Sequence, residues 1–310
     1  MNKTVLAILM ATAICTGAQA TNYQGSSFKE VWGQIESDSY VKLPKNKVSF
    51  RSLFGFLESK IEQSANRTLS DKSDLLPQFV KLAHPNGVCL SGTWNITEEN
   101  PYGGYFKKGS EALIIARSSV ALSATTQGSN RGFGFAGKLF PTDSQDKKVK
   151  TANFFLVDDL GGTKAPHYTG VEMINEPAVS KTTAVVANLL YSLKLAVTFG
   201  KADSNPGIRQ LYEISYLGES DKKGVRTPKW MKVGAQEGQT VDKKDFRDEL
   251  NMDNYKGEIL FDISVASSEK DGKKNWSKVG TITMTKSSTS NSCDHRLHFH
   301  HPKWISNLKH

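Results

Sequence analysis

The feature that most constrains this chain is a series of short segments dense in β-branched and aromatic residues, separated by brief polar connections. Residues 87–97, 112–122, 132–140 and 151–157, and much later 258–265 and 278–286, all read as strands bounded mostly by Gly, Asn, Asp or Pro. Parallel neighbours need a long crossover between them, whereas antiparallel ones do not. The spacing therefore predicts an antiparallel sheet closing into a barrel. Ahead of it, Phe50, Leu53, Phe54, Leu57 and Ile61 recur at helical spacing behind Ser49, a plausible N-cap. Residues 183–199 suit either a helix or strands, and the charged, Gly-containing stretch 219–257 reads as a surface excursion. The fold class expected is α+β, an antiparallel β-barrel core with helices packed outside.

The N-terminus carries a second constraint. Lys3 supplies a basic start, residues 5–14 are apolar, and Ala18-Gln19-Ala20 forms a small-x-small cleavage site. Residues 1–20 are thus expected to be a removable export signal, too short to span a bilayer. Residues 21–48 follow as an irregular arm, and residues 49–310 as one domain. The address expected is periplasmic or secreted, with no membrane span. Removal of the signal takes Cys15 with it and leaves Cys89 and Cys293. In an oxidising compartment these two suggest one long-range disulfide, the alternative being two buried free thiols. The whole chain carries a formal charge of +9. Its lysines are dispersed through loops such as Lys147-Lys148, Lys222-Lys223 and Lys273-Lys274, so a nucleic-acid partner is not expected. Anionic small molecules remain compatible with the charge.

No Gly-rich phosphate loop, GxSxG elbow, HExxH or CxxC is present. Between Lys81 and Phe140, three segments in order resemble the catalase superfamily of haem-dependent barrel enzymes. Lys81-Leu82-Ala83-His84-Pro85-Asn86-Gly87 is similar to the family's R-x-x-H-x-x-G turn leading into the first barrel strand. Ala116-Arg117-Ser118-Ser119 resembles A-R-F-S, and the stretch from Arg131 to Phe140 resembles R-G-F-A-x-K-F-Y. Phe154-Phe155-Leu156-Val157-Asp158 echoes an aromatic F-F-x-x-D stretch. The resemblance implies a catalase-type barrel and haem as cofactor, with a small-molecule peroxide or hydroperoxide as substrate. It assigns His84 as the distal acid/base and Ser119 as its hydrogen-bond partner. Imidazole suits the first task because its pKa lies near neutrality. Lys81 and Arg117 become partners of the haem propionates, and Phe133, Phe154 and Phe155 pocket-lining residues.

The chain departs from the family where peroxide is oriented: Lys150 stands at the distal asparagine's place and Ser129 at the channel aspartate's. Its tail can be aligned in two ways. In one, the segment from Leu297 to Pro302 resembles L-x-F-N-P-W and the proximal tyrosine has no counterpart. In the other, the segment from Arg296 to His300 is matched to R-L-x-x-Y, with His300 as iron ligand. Without any family, the cluster of histidines from His295 to His301 reads as a surface cluster that binds nothing or as a metal site, since imidazole binds zinc, copper and haem iron. The function expected is an exported, haem-binding, peroxide-dependent oxidoreductase. The alternative is a catalase-fold protein without haem chemistry that serves as a binding or stress-associated scaffold.

Overall fold

A computed structural model describes residues 25–40, 74–76, 86–120, 133–158, 211–214, 224–239, 246–270 and 273–299. The proposed signal, the helix from Phe50 and the ambiguous stretch 183–199 lie outside these residues, as do Lys81, His84 and His300.

Eight strands form a ring: β1 (Asn86–Ile96), β2 (Glu111–Val120), β3 (Phe133–Pro141), β4 (Ala152–Asp158), β5 (Leu211–Ile214), β6 (Trp230–Ala235), β7 (Ile259–Ala266) and β10 (Ser277–Ser288). Each pairs antiparallel with its neighbour. The order around the ring is β1-β10-β7-β6-β5-β4-β3-β2, and β2 pairs again with β1. Strands β8 (Glu269–Lys270) and β9 (Lys273–Lys274) make a small hairpin between β7 and β10. Six of the eight ring strands fall where the residue pattern predicts strands. Strand β6 was not anticipated: it lies within the stretch expected to be a surface excursion. Its sequence, Trp-Met-Lys-Val-Gly-Ala, buries Met231 and Val233 on either side of Lys232, and that charge, with Lys229 before the strand, disguises it as a loop.

Alternation decides what fills the ring. Val88, Leu90, Trp94 and Ile96 of β1 meet Ala112, Ile114 and Ala116 of β2, Phe135 and Leu139 of β3, and Phe261 and Ile263 of β7 in one core. Its centre is aromatic: Trp94 lies 5.9 Å from Phe154, Phe135 is 6.4 Å from Phe154, and Phe261 is 5.6 Å from Phe135, centroid to centroid. Gly137 makes room for this cluster, since a Cβ there would stand 2.1 Å from Phe154 Cζ. A 3-10 turn, Gly104–Phe106, plugs one end of the barrel with Tyr105 and Phe106, and the Tyr105 carbonyl accepts from Trp94 Nε1 at 2.8 Å.

The expected irregular arm instead contains a helix, α1 (Phe28–Ser37). Ser27 Oγ accepts from the Glu30 amide and the Glu30 carboxylate accepts from the Ser27 amide, a capping box that starts the helix. Val31, Trp32 and Ile35 share one face, and that face covers the outside of the barrel with Cys89, Ile115, Ala136, Phe140, Cys293 and Leu297. Two further short helices are α2 (Phe246–Glu249) and α3 (Asn291–His295). No helix among the described residues is long and apolar enough to cross a membrane.

Candidate site at the head of strand β1

The functionally suggestive residues gather where β1 begins. Register sets Gly87 opposite Ser119 and Cys89 opposite Arg117. Ser119 is therefore held against the strand position three residues beyond His84. Arg117 is buried and shares the outer face of β2 with Ile115, which packs against α1.

A buried charge cluster ties this point to the end of the described chain. Asp294, on α3, accepts from Arg117 Nη2 at 2.8 Å, from Arg247 Nη2, and from the Gly87 amide at 2.8 Å. Arg247 Nε donates to the Gly87 carbonyl at 3.1 Å. The Asp294 side chain is fully buried and both arginines are 4 % exposed. Gly87 has a steric reason to be glycine: a Cβ would stand 2.6 Å from the Arg117 guanidinium carbon, which lies against the backbone. Burial pulls the Arg117 pKa below its ordinary value, with Arg247 adding to the effect, while Asp294 opposes both.

The disulfide reinforces the same junction. Cys89 and Cys293 are bonded, 204 residues apart, one two residues past Gly87 and the other next to Asp294. The bond accords with an oxidising compartment and selects the disulfide over the free-thiol alternative.

A second buried ion pair lies further along the outer face. Lys138 Nζ donates to Asp74 Oδ1 at 2.5 Å, to Asn153 Oδ1 at 2.8 Å and to Thr151 Oγ at 3.2 Å, with its ammonium 5.5 Å from the Phe299 ring centroid. Lys138 and Asp74 are both fully buried, and burial lowers the lysine pKa against the opposing pull of Asp74. The segment holding Asp74 is anchored to the tail, where Leu75 bridges to Leu297 and the His298 amide donates to the Asp74 carbonyl.

The sequence-predicted residues divide accordingly. Ser119 and Arg117 meet at the head of β1. Phe154 does not join them: it faces the barrel interior against Trp94 and Phe135, because neighbouring residues on a strand face opposite sides. The backbones of Phe133 and Phe155 are placed by register against Val120 and Ala136. Among the described residues no group of three or more His, Cys, Asp or Glu side chains could hold a metal ion. Sequence reasoning missed Asp294, Arg247, Asp74 and Lys138. For Lys138 the only signal was its place within the Arg131–Phe140 motif.

With this geometry in view, comparison with known proteins gives the following. No protein-family model matches the sequence, and no curated protein matches it. Among solved structures the chain is similar to a bacterial catalase, with a TM-score of 0.48 and 11% identity over 84% of this chain. It is also similar to a fungal catalase (TM-score 0.45, 10% identity, 80% of this chain) and to catalase A from Saccharomyces cerevisiae (TM-score 0.46, 10% identity, 80% of this chain). The chain spans 60%, 56% and 58% of the lengths of these three proteins, respectively.

Proposed function

We propose that this protein is an exported, haem-binding oxidoreductase that acts on peroxide or a small hydroperoxide, with His84 as its acid/base. The observation that carries the reading is the β1–β2 register, in which Ser119 stands opposite Gly87, three residues beyond His84. That register supports a reading in which a strand serine partners a histidine in the turn before β1. The chemistry of the donor set suits a haem propionate. Arg117 is a buried cation at the head of β1, of the residue type that pairs with carboxylates such as a propionate. Lys81 supplies the second cation for a propionate. Bound haem would supply the iron chemistry for cleaving an O–O bond, and His300 is the candidate residue to hold that iron. The task of His84 is to accept a proton from one peroxide oxygen and return it to the other, which an imidazole titrating near neutrality does in both directions. Ser119, by hydrogen bonding, would fix the ring's orientation.

The test is the visible spectrum of the chain expressed with haem supplied. A Soret band, with peroxide turnover that falls at least about 100-fold in His84→Ala, is the expected result. Turnover indifferent to His84→Ala would remove the residue from the chemistry. The second reading, a catalase-type barrel that binds no haem, is favoured by one specific contact: the Arg117 guanidinium already meets a carboxylate of its own chain in Asp294. It predicts no Soret band under the same conditions.

A further inference from the structure

The buried polar cluster around Lys138 has no part in the proposed peroxide chemistry, yet its members are the parts of an acyl-transfer reaction. Lys138 on β3 and Asn153 on β4 stand directly opposite in the strand register, so their side chains share one face of the sheet. Lys138 Nζ lies 2.8 Å from Asn153 Oδ1, and therefore beside the carboxamide carbon that carries this oxygen. Asp74 Oδ1 lies 2.5 Å from the same Nζ. Thr151 Oγ links the other two: it donates to Asp74 Oδ1 at 3.1 Å and accepts from Asn153 Nδ2 at 3.1 Å. An amine, a carboxamide, a carboxyl group and a bridging hydroxyl thus meet in one hydrogen-bonded cluster.

The surroundings favour reaction between these groups. Lys138, Asp74 and Thr151 are fully buried and Asn153 nearly so, with the Phe299 ring 5.5 Å from Nζ. Burial disfavours the charged ammonium and lowers the lysine pKa, against the opposing pull of Asp74. Passing a proton from Nζ to Asp74 removes both charges and leaves an uncharged amine, the nucleophilic form of lysine. Bulk water, the competing nucleophile, is kept out. The partners are also held in place. Asn153 Nδ2 donates to the Thr151 carbonyl at 3.0 Å. The Asp74 segment is fixed to the tail by the His298 amide and by the Leu76 amide, which donates to the Arg296 carbonyl at 2.9 Å. Fixed juxtaposition of this kind supplies effective concentrations far above those of any free amine.

We propose that Lys138 and Asn153 join in an intramolecular isopeptide bond, with Asp74 as the proton carrier. The ion pair is the state from which the bond forms. Nζ gives a proton to Asp74 Oδ1, and its freed lone pair attacks Asn153 Cγ. The Nζ–Cγ bond forms and the Cγ–Nδ2 bond breaks. Two protons in all pass from Nζ, through Asp74 and Thr151 Oγ, to Nδ2, which leaves as ammonium. Asp74 ends as the carboxylate it was. One C–N bond replaces another, no oxidant or reductant is required, and the chain loses the elements of ammonia. The carboxyl that takes the proton serves as the base, which leaves the uncharged carboxamide as the electrophile.

The test is tryptic digestion of the purified full chain, unfolded only for the digest, followed by tandem mass spectrometry. Trypsin does not cut after an acylated lysine. The expected product is therefore residues 132–147 joined to residues 151–164, one ammonia lighter than the two peptides together. Separate peptides 132–138 and 151–164 overturn the proposal and leave the cluster a plain ion pair. A joined species that contains Asp74 and is one water lighter also overturns it, because the bond then belongs to the carboxyl. Asp74→Asn tests the carrier in freshly expressed protein sampled at intervals. Where its circular dichroism matches the wild type, the joined peptide should form on the order of 100-fold more slowly. An unchanged rate overturns the role of Asp74. If Asp74→Asn does not fold, Thr151→Val keeps the shape, removes the bridging hydroxyl and takes its place with the same readout. An unchanged rate there overturns the proton path. None of these outcomes depends on whether haem is bound.

Discussion

Replacing Asp294 by Asn is the sharpest perturbation of the buried charge cluster. The amide keeps the shape of the carboxylate and can still accept from the Gly87 amide, but it removes the negative charge that faces both Arg117 and Arg247. Two guanidiniums, each 4 % exposed, then oppose one another with nothing in Asp294's place to offset them. The lowering of the Arg117 pKa by burial and by Arg247 states the same penalty from the arginine's side. Breaking a buried ion pair by removing one partner costs about 3–5 kcal/mol. At roughly 2–3 °C per kcal/mol for a chain of this size, the melting temperature should fall by about 10 °C. Thermal unfolding followed by circular dichroism, supported by denaturant titration, measures it. Adding Arg247→Met should recover part of the loss, although Arg247→Met alone destabilises, because the double variant removes one of the two mutually repelling cations that faced the lost carboxylate. The coupling across that cycle should exceed about 1 kcal/mol. A melting temperature within about 2 °C of the parent in Asp294→Asn, or strict additivity, would show that the cluster carries no such energy.

Lys138→Met removes the ammonium that faces the buried Asp74 carboxylate and should cost about 3–5 kcal/mol, whereas Lys138→Met with Asp74→Asn should cost clearly less; equal losses in denaturant melts would argue against the pair. Reducing the Cys89–Cys293 bond, or replacing both cysteines by Ala, releases a closure of 204 residues and should cost about 5 kcal/mol by chain entropy, read as a midpoint shift in urea. Asp38 accepts from Ser292 Oγ at 2.6 Å, and that bond holds its pKa below the ordinary aspartate value. A lowered folded pKa means stability that is complete above about pH 4 and lost as pH falls through the folded value. Asp38→Asn should therefore lower stability slightly at neutral pH and leave it unchanged in strong acid, which flattens the acid limb of a stability-versus-pH curve. An unchanged acid limb would refute the assignment.

The barrel was legible because its strands declare themselves locally. The runs around Trp94, Ile114, Phe135 and Phe154 are β-rich and bounded by polar breaks, and short connections leave antiparallel pairing as the natural outcome. Strand β6 was not legible, since Lys229, Lys232 and flanking glycines make a half-buried strand look like a loop. Helix α1 was overlooked, although its Ser27–Glu30 capping box was visible in the sequence. At the candidate site, the pairing of Cys89 with Cys293 was legible in the sequence. Asp294 could not be found that way: its partners Arg117 and Arg247 lie 177 and 47 residues away, and a lone acidic residue beside a cysteine gives no hint of burial. Phe154 packs against Trp94 and Phe135 inside the barrel, a placement that strand parity alone leaves open, since the motif offers two adjacent aromatics.

The closing of the ring has a temporal consequence. Strand β1 finds β2 at once, across a short connection, but its other edge stays open until β10 arrives some 190 residues later. An early intermediate would thus present a bare strand edge, the kind of surface that recruits other chains. Zipping β10 against β1 removes that edge and in the same motion carries Cys293 to Cys89 and Asp294 to Gly87. The covalent bond can then serve as a latch on a seam that shuts last, and an oxidising enzyme acting on this chain would have the fully wound barrel, rather than the nascent one, as its natural substrate.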